Sequence, residues 1–187
     1  MSEETRSYYP WKPIVVAVII ASAAVAAYVY FARVPDPYSA KLISQNVYPI
    51  HRNLTSPTTV QGIGGENETY DQVLVLADVR INNISNKVPL YLSDMSASVE
   101  LPDETQRSSA VSASDFDKLF IVYPDLKRYQ KPMLLRDTTI QPGQNVEGLM
   151  IFSYQISQQQ WQSATAMNIT VDFIHQKPLV IPVPKSK

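Results

Sequence analysis

Cysteine is absent from this 187-residue chain, and glycine is scarce, with only five residues. The missing thiols exclude disulfide bonds, thiolate zinc sites and a cysteine nucleophile. So few glycines leave little room for a phosphate-binding loop, and the chain holds no Gly-x-Ser-x-Gly elbow and no Walker or dinucleotide pattern. We therefore expect no cofactor and interpret the protein as a non-enzyme.

A strong charge of either sign is missing as well. The formal net charge is -1, the pI is about 6.1, and no run of basic residues occurs. Because nucleic-acid phosphates require clustered Lys and Arg side chains, we expect no nucleic-acid partner. Histidine is limited to His51 and His175, without the spacing of a metal site, and we interpret both as partly exposed residues at strand ends.

One long apolar segment is present near the N-terminus. Residues 14–32 read IVVAVIIASAAVAAYVYFA, without a charged side chain. At about 1.5 Å per residue, a helix of this length crosses the roughly 30 Å hydrocarbon core of a bilayer. Aromatic residues, which favour the membrane interface, flank both ends: Tyr8, Tyr9, Trp11, Tyr28, Tyr30 and Phe31. The sequence predicts a single transmembrane helix at about Ile14–Phe31, and the lipid bilayer as partner of residues 14–32.

A cleaved signal peptide is the main alternative to an uncleaved anchor. The small residues Val25, Ala26 and Ala27 follow an apolar region, as signal peptidase requires, and would place the cut after Ala27. Hydrophobicity continues beyond that point through Tyr28–Ala32, which favours an uncleaved signal anchor.

The orientation of the helix rests on the layout of the chain more than on its charges. Arg6 and Lys12 on the N-terminal side are matched by Arg33 and Lys41 on the other, so the positive-inside rule barely discriminates. A short tail, a helix and a long domain are typical of a signal anchor whose domain is translocated. We predict a cytoplasmic tail at 1–12, a membrane helix at 13–33, a proline-rich spacer at 34–39 and a periplasmic or extracellular domain at 40–187.

Small residues recur at four-residue spacing along the helix, at Ala17 and Ala21 and at Ser22 and Ala26. Such faces allow close helix–helix approach in lipid, so they are candidates for packing against another membrane protein or a second copy. Alanine is common in membrane anchors, and we prefer that simpler interpretation. Crosslinking that gave only monomer would count against helix packing.

Beyond the spacer, short apolar segments alternate with turns. The clearest, Val73–Ile84, places Val75, Ala77, Val79 and Ile81 on one face and Asp78, Arg80 and Asn82 on the other, which predicts a strand with one solvated face. Further strands are predicted at Lys41–Ile50, Val88–Leu101 (as a pair or one bent strand), Pro132–Ile140, Asn145–Tyr154, Asn168–His175 and Leu179–Val183. Thr55–Thr69 is predicted as a loop or a hairpin tip.

Two short helices are predicted among these strands. In Ser112–Tyr123, Ser114 precedes Asp115 and Asp117, an arrangement typical of a helix N-terminus, and Pro124 is expected to end the helix. Ser157–Ala164 predicts one helical turn with Trp161 as its apolar contact. Many short strands with little helix favour an all-β fold of the immunoglobulin-like sandwich type.

Three segments carry a resemblance to a known class of domain: VRINNISNKVPLYL, TTIQPGQNVEGLMIF and ITVDF. Within them, Asn82 ends a strand, Pro142-Gly143 forms a turn, and Gly148 and Phe152 follow in an apolar strand. This combination, between Val73 and Phe173, resembles the Ig-like extracytoplasmic domains of unknown function found on bacterial membrane-anchored proteins and lipoproteins. The resemblance implies a fold and a location but no reaction, and the chain lacks the lipobox cysteine of the lipoprotein members.

A stretch rich in aromatic, methionine and basic residues lies between Tyr123 and Arg136, and this mixture is typical of protein interfaces. The alternative is a loop folded back over the sheets, with Tyr129 and Leu134 filling the core, and we favour it slightly. The candidate interaction residues are Tyr123, Leu126, Arg128, Tyr129, Met133 and Arg136.

Three functions are compatible with the sequence. The first is a membrane-anchored interaction or accessory domain, such as a small subunit of an envelope complex. The second is a ligand-binding or sensory ectodomain, weakened by a tail too short for a signalling module. The third is an envelope hydrolase, for which no motif is present. A deep polar pocket at His51 or His175 would favour the hydrolase, whereas a flat apolar patch near Tyr123–Arg136 would favour the first function.

Overall fold

A computed structural model describes residues 11–31, 36–54 and 68–184. The chain divides into two units, Met1–Asp36 and Pro37–Lys187. The first unit contains helix α1, Trp11–Phe31. Among the described residues, the stretch Pro13–Tyr30 is the one helix long and apolar enough to cross a membrane, and none of it is buried. By length and composition this helix fits a membrane anchor or a signal sequence.

The second unit is mostly β-structure. Its strands are β1 (Tyr38–Leu54), β2 (Glu68–Asn83), β3 (Leu90–Glu100), β4 (Thr105–Ser109), β5 (Thr139–Ile140), β6 (Asn145–Tyr154), β7 (Ala166–Phe173) and β8 (Leu179–Val183). Its helices are α2 (Ala113–Val122), a 3₁₀ helix (Pro124–Tyr129) and α3 (Gln158–Ser163).

The strands form two antiparallel sheets. One has three strands in the order β1-β2-β6, and the other has the order β4-β3-β7-β8, with β5 paired to β3. Residues Ala110–Thr138, which carry α2 and the 3₁₀ helix, connect β4 to β5. We refer to this segment as the crossover.

The main core combines residues of both sheets. On β2 the inward residues Val75, Ala77 and Val79 are completely buried, and they pack in one cluster with inward residues of β3, β6 and β7. The burial of these three residues confirms the inner face that the period-two pattern of β2 predicted. Full burial of a valine-sized or larger side chain stabilises a fold by about 1.5–3 kcal/mol.

The outer face of β2 differs from the prediction. Arg80 is exposed and forms an ion pair with Glu147 of β6, but Leu74, Leu76 and Asp78 are buried. The crossover covers them, because helix α2 and the 3₁₀ helix pack on this face. The helices and the sheet form a second hydrophobic cluster here, separate from the main core. It comprises Ile50, Leu74, Leu76, Phe116, Phe120, Leu126, Leu149 and Ile151. Of the residues predicted to be solvated, Arg80 is exposed and Asn82 is partly exposed, but the prediction was wrong for Asp78, which is buried.

The start of α2 also differs from the prediction. Its N-cap is Ser112, two residues before Ser114, and the Ser112 side chain makes no capping bond to the backbone. Instead its hydroxyl donates to the Asp115 carboxylate at 2.8 Å. Pro124 ends the α-helix as expected, but the chain continues as the 3₁₀ helix.

Several elements match their predictions closely. Strand β6 has the predicted bounds Asn145–Tyr154, and α3 begins at a capping box in which Ser157 and Gln160 each bond to the other's backbone N–H. Leu90–Glu100 is one strand, and the Pro132–Ile140 segment is extended only in short pieces. Residues 55–67 of the predicted loop lie outside the described residues.

The crossover also covers the free edge of β6. The Leu134 N–H donates to the Leu149 carbonyl at 3.0 Å, and the Leu149 N–H donates to the Pro132 carbonyl at 2.8 Å. Gly148 is required at this point, since an added Cβ would lie 2.6 Å from the backbone nitrogen of Leu134. The missing side chain allows the two backbones to approach closely.

Replacing Gly148 by alanine is therefore expected to destabilise the domain by about 1–3 kcal/mol through overpacking. Gly143→Asn is the matched control: Gly143 has φ +75°, which asparagine tolerates, and nothing lies within 4 Å of an added Cβ. The measurement is urea unfolding of both variants in detergent. Equal midpoints would contradict the close approach of Leu134.

Candidate functional site

The candidate site is a surface at the C-terminal end of α2 and along the 3₁₀ helix. We call it the 121–129 surface, and it consists of exposed Ile121, Val122, Pro124, Lys127 and Arg128 with partly exposed Tyr123 and Tyr129. The two helical segments are held in place by Phe116, Phe120 and Leu126, which are buried against the outer face of the three-stranded sheet.

Two large aliphatic side chains on this surface point to solvent. Ile121 is 73% exposed and Val122 is 56% exposed. Because successive helical residues are rotated by about 100°, the buried face that carries Phe116 and Phe120 cannot include both of them. Ile121 and Val122 therefore lie exposed next to each other at the end of α2. Polar residues at these positions would make the protein more soluble.

An arginine from strand β1 contacts Tyr123, the residue that follows the apolar pair in the chain. Arg52 of β1 donates from Nη2 to the Tyr123 hydroxyl at 3.0 Å, and its guanidinium lies 5.2 Å from the centroid of the Tyr123 ring. The ring of Tyr48 meets the Tyr123 ring edge-on at 6.0 Å. These contacts hold Tyr123 in one orientation, so part of the surface is rigid before any partner arrives.

The predicted interaction residues divide into exposed and internal groups. Arg128 is exposed and stacks over the Tyr129 ring, with 4.7 Å between guanidinium carbon and centroid. Leu126 has no exposed area, and Met133 packs partly buried against the same cluster as Leu126. Leu126 is therefore removed from the interaction set, because it fills the core beneath the surface.

Arg136 also has an internal role. Its Nε donates to the Asp94 carboxylate and its Nη2 to the Ala110 carbonyl, at 2.9 and 2.8 Å. The hydrogen bond from Arg136 lowers the pKa of Asp94 below its ordinary value. Arg136 thus ties both ends of the crossover to β3, and its guanidinium is already engaged within the chain.

One charged pair links the crossover to the sheet. Asp78 of β2 is 1% exposed, and Lys131 reaches one of its oxygens from the crossover, while the other oxygen has no hydrogen-bond partner among the described residues. The hydrogen bond to Asp78 raises the pKa of Lys131. A buried carboxylate needs such a counter-charge, since an isolated ion is costly in a low-dielectric interior.

A polar cleft of about 450 Å³ lies on another part of the domain and includes His51, Asp71 and Ser157. His51 Nδ1 and Asp71 Oδ1 are 2.6 Å apart, yet the histidine side chain is 63% exposed. Ser157 Oγ accepts the Gln160 N–H as a helix cap, and no hydrogen bond joins Ser157 to His51 in the described part of the chain. The serine is therefore held as a structural cap and lacks the base contact of an activated nucleophile.

His175 does not join this cleft. It is exposed in the turn between β7 and β8 and has a φ of 59°. His51 lies three residues before the end of β1, so both histidines lie near strand ends. Within residues 11–31, 36–54 and 68–184, no three His, Cys, Asp or Glu side chains are grouped as metal ligands. The candidate helix-packing residues Ala17, Ala21, Ser22 and Ala26 are all exposed on α1.

Sequence reasoning missed Ile121, Val122 and Arg52. A signal for the first two was available, because Phe116, Leu119, Phe120 and Tyr123 already fill one helical face at three- and four-residue spacing. Aliphatic residues left over on another face indicate a contact surface. Arg52 had no such signal, since it lies 71 positions from Tyr123 in the chain and only the fold brings them together.

Removal of the Lys131 charge by Lys131→Met is expected to lower the melting temperature of the domain, because Asp78 would remain buried without a counter-charge. Lys118→Met is the matched control, since Lys118 pairs with Asp115 on the surface. The double variant Asp78→Leu/Lys131→Met should recover most of the loss. Equal melting temperatures for the two single lysine variants would contradict the structural role of this pair.

No protein-family model matches the chain, and no curated protein matches it. Among solved structures, it is similar to a functionally unknown protein from Listeria monocytogenes EGD-e, with 11% identity, a TM-score of 0.42, and coverage of 79% of this chain and 78% of that one. It is also similar to the putative ApaA protein from Bordetella pertussis, with 13% identity, a TM-score of 0.27, and coverage of 80% and 91%.

Proposed function

We propose that this protein is a single-pass, membrane-anchored accessory domain that binds another protein outside the cytoplasm through the 121–129 surface. The observation that carries the proposal is the exposure of Ile121 and Val122, at 73% and 56%, on a helix whose opposite face is buried. Apolar side chains in contact with water favour burial against a partner.

The surroundings of the apolar pair fit a protein interface. Tyr123 and Tyr129 present partly exposed rings, each stacked with the guanidinium of Arg52 or Arg128. Tyrosine and arginine are enriched at the energetic centres of interfaces, because they combine apolar area with directed hydrogen bonds. Rings already held by such contacts lose little conformational freedom on binding.

The proposed binding role involves no catalysis. In the His51 cleft, the histidine is mostly in solvent and Ser157 caps α3. A hydrolase would need a serine in hydrogen-bond contact with its base and donors placed for the oxyanion. This arrangement supports a binding module over an envelope hydrolase.

We also propose that the domain is a relative of the Ig-like extracytoplasmic domains that its sequence resembles. Two antiparallel sheets with a common core are compatible with that family, and Gly148 and Phe152 of the shared pattern have structural roles. Gly148 admits the crossover backbone, and Phe152 is completely buried. The proposal places the β-domain in the periplasm or outside the cell, with α1 as an uncleaved anchor and residues 1–12 in the cytoplasm.

The absence of cysteine allows a direct test of this topology. With Gln159→Cys, at an exposed position of α3, a membrane-impermeant maleimide applied from the extracytoplasmic side should label the intact cell or spheroplast. With Ser7→Cys, labelling should require permeabilisation. The cysteine-free parent is the blank. The reverse pattern would overturn the orientation, and loss of residues 1–27 from the mature chain would show that the helix is a cleaved signal.

The double variant Ile121→Ser/Val122→Ser is expected to weaken binding of a specific partner by about thirtyfold, since each of the two lost apolar contacts weakens binding by roughly 1 kcal/mol. The measurement is quantitative mass spectrometry after a pull-down of the full chain in mild detergent. Val180→Ser is the matched control, because Val180 is an aliphatic residue with 55% exposure on β8.

The folded state of each variant is checked by its melting temperature. A partner that is lost with the double variant and kept with Val180→Ser supports the proposed surface. If all three chains recover the same proteins in equal amounts, the 121–129 surface is not the interface.

A further inference from the structure

An apolar cavity of about 120 Å³ lies between the inner faces of the two sheets, at the end where α3 packs. Its walls come from four strands and one helix: Val99 of β3, Met167 of β7, Val183 of β8, Gln45 of β1 and Trp161 of α3. None of these residues belongs to the 121–129 surface. The cavity is therefore a separate feature of the domain.

Most of the wall is apolar and well ordered by packing. Val99, Met167 and Val183 are buried members of the main core, and Trp161 packs partly buried against them and against Tyr154, at 6.2 Å between ring centroids. The cavity is open to solvent on one side, so a small molecule can enter it without unfolding of the core.

Gln45 supplies one polar group to this apolar wall. It pairs with Ala77 of β2 across the sheet, just as Val47 pairs with Val75. Directly paired residues share a face, so Gln45 occupies a core-facing position between apolar neighbours. Its side chain is half-buried and makes no hydrogen bond to any residue in the described part of the chain.

The Gln45 amide atoms retain some solvent exposure, so they are free to bond to water or to a ligand that enters from the open side of the cavity. Leucine would fit the pattern of β1 at this point, where Leu42 and Val47 pack against the core. The retained amide, next to an apolar space lined by a tryptophan, has the composition of a ligand pocket: mostly apolar walls with a few placed polar groups.

We propose that this cavity binds a small apolar group of about five carbon atoms that carries one hydroxyl or carbonyl oxygen. The size follows from the volume, since a cavity of about 150 Å³ holds the six carbons of benzene and this one has about 120 Å³. The carbon skeleton packs against Trp161, Val99, Met167 and Val183, and the Gln45 amide bonds to the oxygen. Exposed Gln162 and Pro184 mark the mouth of the cavity.

Cyclopentanol is a suitable probe, and Trp161 is a built-in reporter. The chain has two tryptophans, so Trp11→Phe leaves Trp161 as the single source of tryptophan emission. In the full chain, held in phospholipid nanodiscs, cyclopentanol is expected to change this emission in a saturable manner. Methylcyclopentane, in which a methyl group replaces the hydroxyl, should bind about tenfold more weakly, the ratio that corresponds to one lost hydrogen bond.

Two variants distinguish binding in the cavity from partition into lipid. Ala164→Leu enlarges a buried side chain of the cavity wall and should abolish the saturable response without lowering the melting temperature. Ala113→Leu, at an exposed position of α2, should bind cyclopentanol like the parent. A response that never saturates, or one unchanged by Ala164→Leu, would overturn the proposal.

Gln45→Leu tests the role of the amide and remains informative even where Ala164→Leu fails to fold. It is expected to remove the preference for cyclopentanol over methylcyclopentane while both still bind. Retention of the full preference would assign recognition of the hydroxyl to another group and contradict the proposed site. The outcome is independent of the 121–129 surface, because no residue is shared.

Discussion

Strand β2 is buried on both faces, and the architecture of the domain depends on that burial. Its inner residues pack in the core shared by the two sheets, while Leu74, Leu76 and Asp78 face away from that core. An outer face of this kind cannot stay in water, so the domain needs a cover for the three-stranded sheet. The crossover between β4 and β5 supplies it with α2 and the 3₁₀ helix. The same segment bonds to the edge of β6 at Leu149 and thereby protects a strand that would otherwise pair with other chains.

The cover determines where the candidate interface lies. Helix α2 needs only one apolar face to bury Phe116 and Phe120, yet it also carries Ile121 and Val122 toward solvent. The Asp78–Lys131 pair and the contacts of Arg136 hold the crossover to the sheets, so these aliphatic residues project from a fixed support. A rigid apolar surface is suited to recognising a partner, because binding then costs little conformational entropy. The cavity beside Trp161 lies in the other cluster, and the two features can serve different ligands.

Local patterns predicted those elements whose structure depends on near neighbours. Strand β6 was placed with its observed bounds because Pro142-Gly143 marks its start and an apolar run follows. Helix α3 was predicted from Ser157 onward, where the cap and the Gln160 side chain lie within one turn. The same approach failed at one position on the outer face of β2, where Arg80 is exposed as predicted but Asp78 is not. Asp78 was interpreted as solvated from its charge alone, whereas it is buried because Lys131, 53 positions later, neutralises it.

Sequence by itself determined the apolar helix near the N-terminus, the β-rich character of the rest, and the exclusion of cysteine chemistry, since each depends on composition or on spacing within a few residues. Only the tertiary structure decided which interface candidates are available to a partner. Leu126 is buried in the core, and Arg136 donates a hydrogen bond to Asp94. At the surface, Arg52 donates a hydrogen bond to Tyr123. It also decided that Gln45 faces an apolar cavity, because that placement depends on strand register and on the packing of two sheets. Contacts between distant parts of a chain leave no periodic trace in its sequence, and both the Arg52–Tyr123 contact and the cavity are built from such contacts.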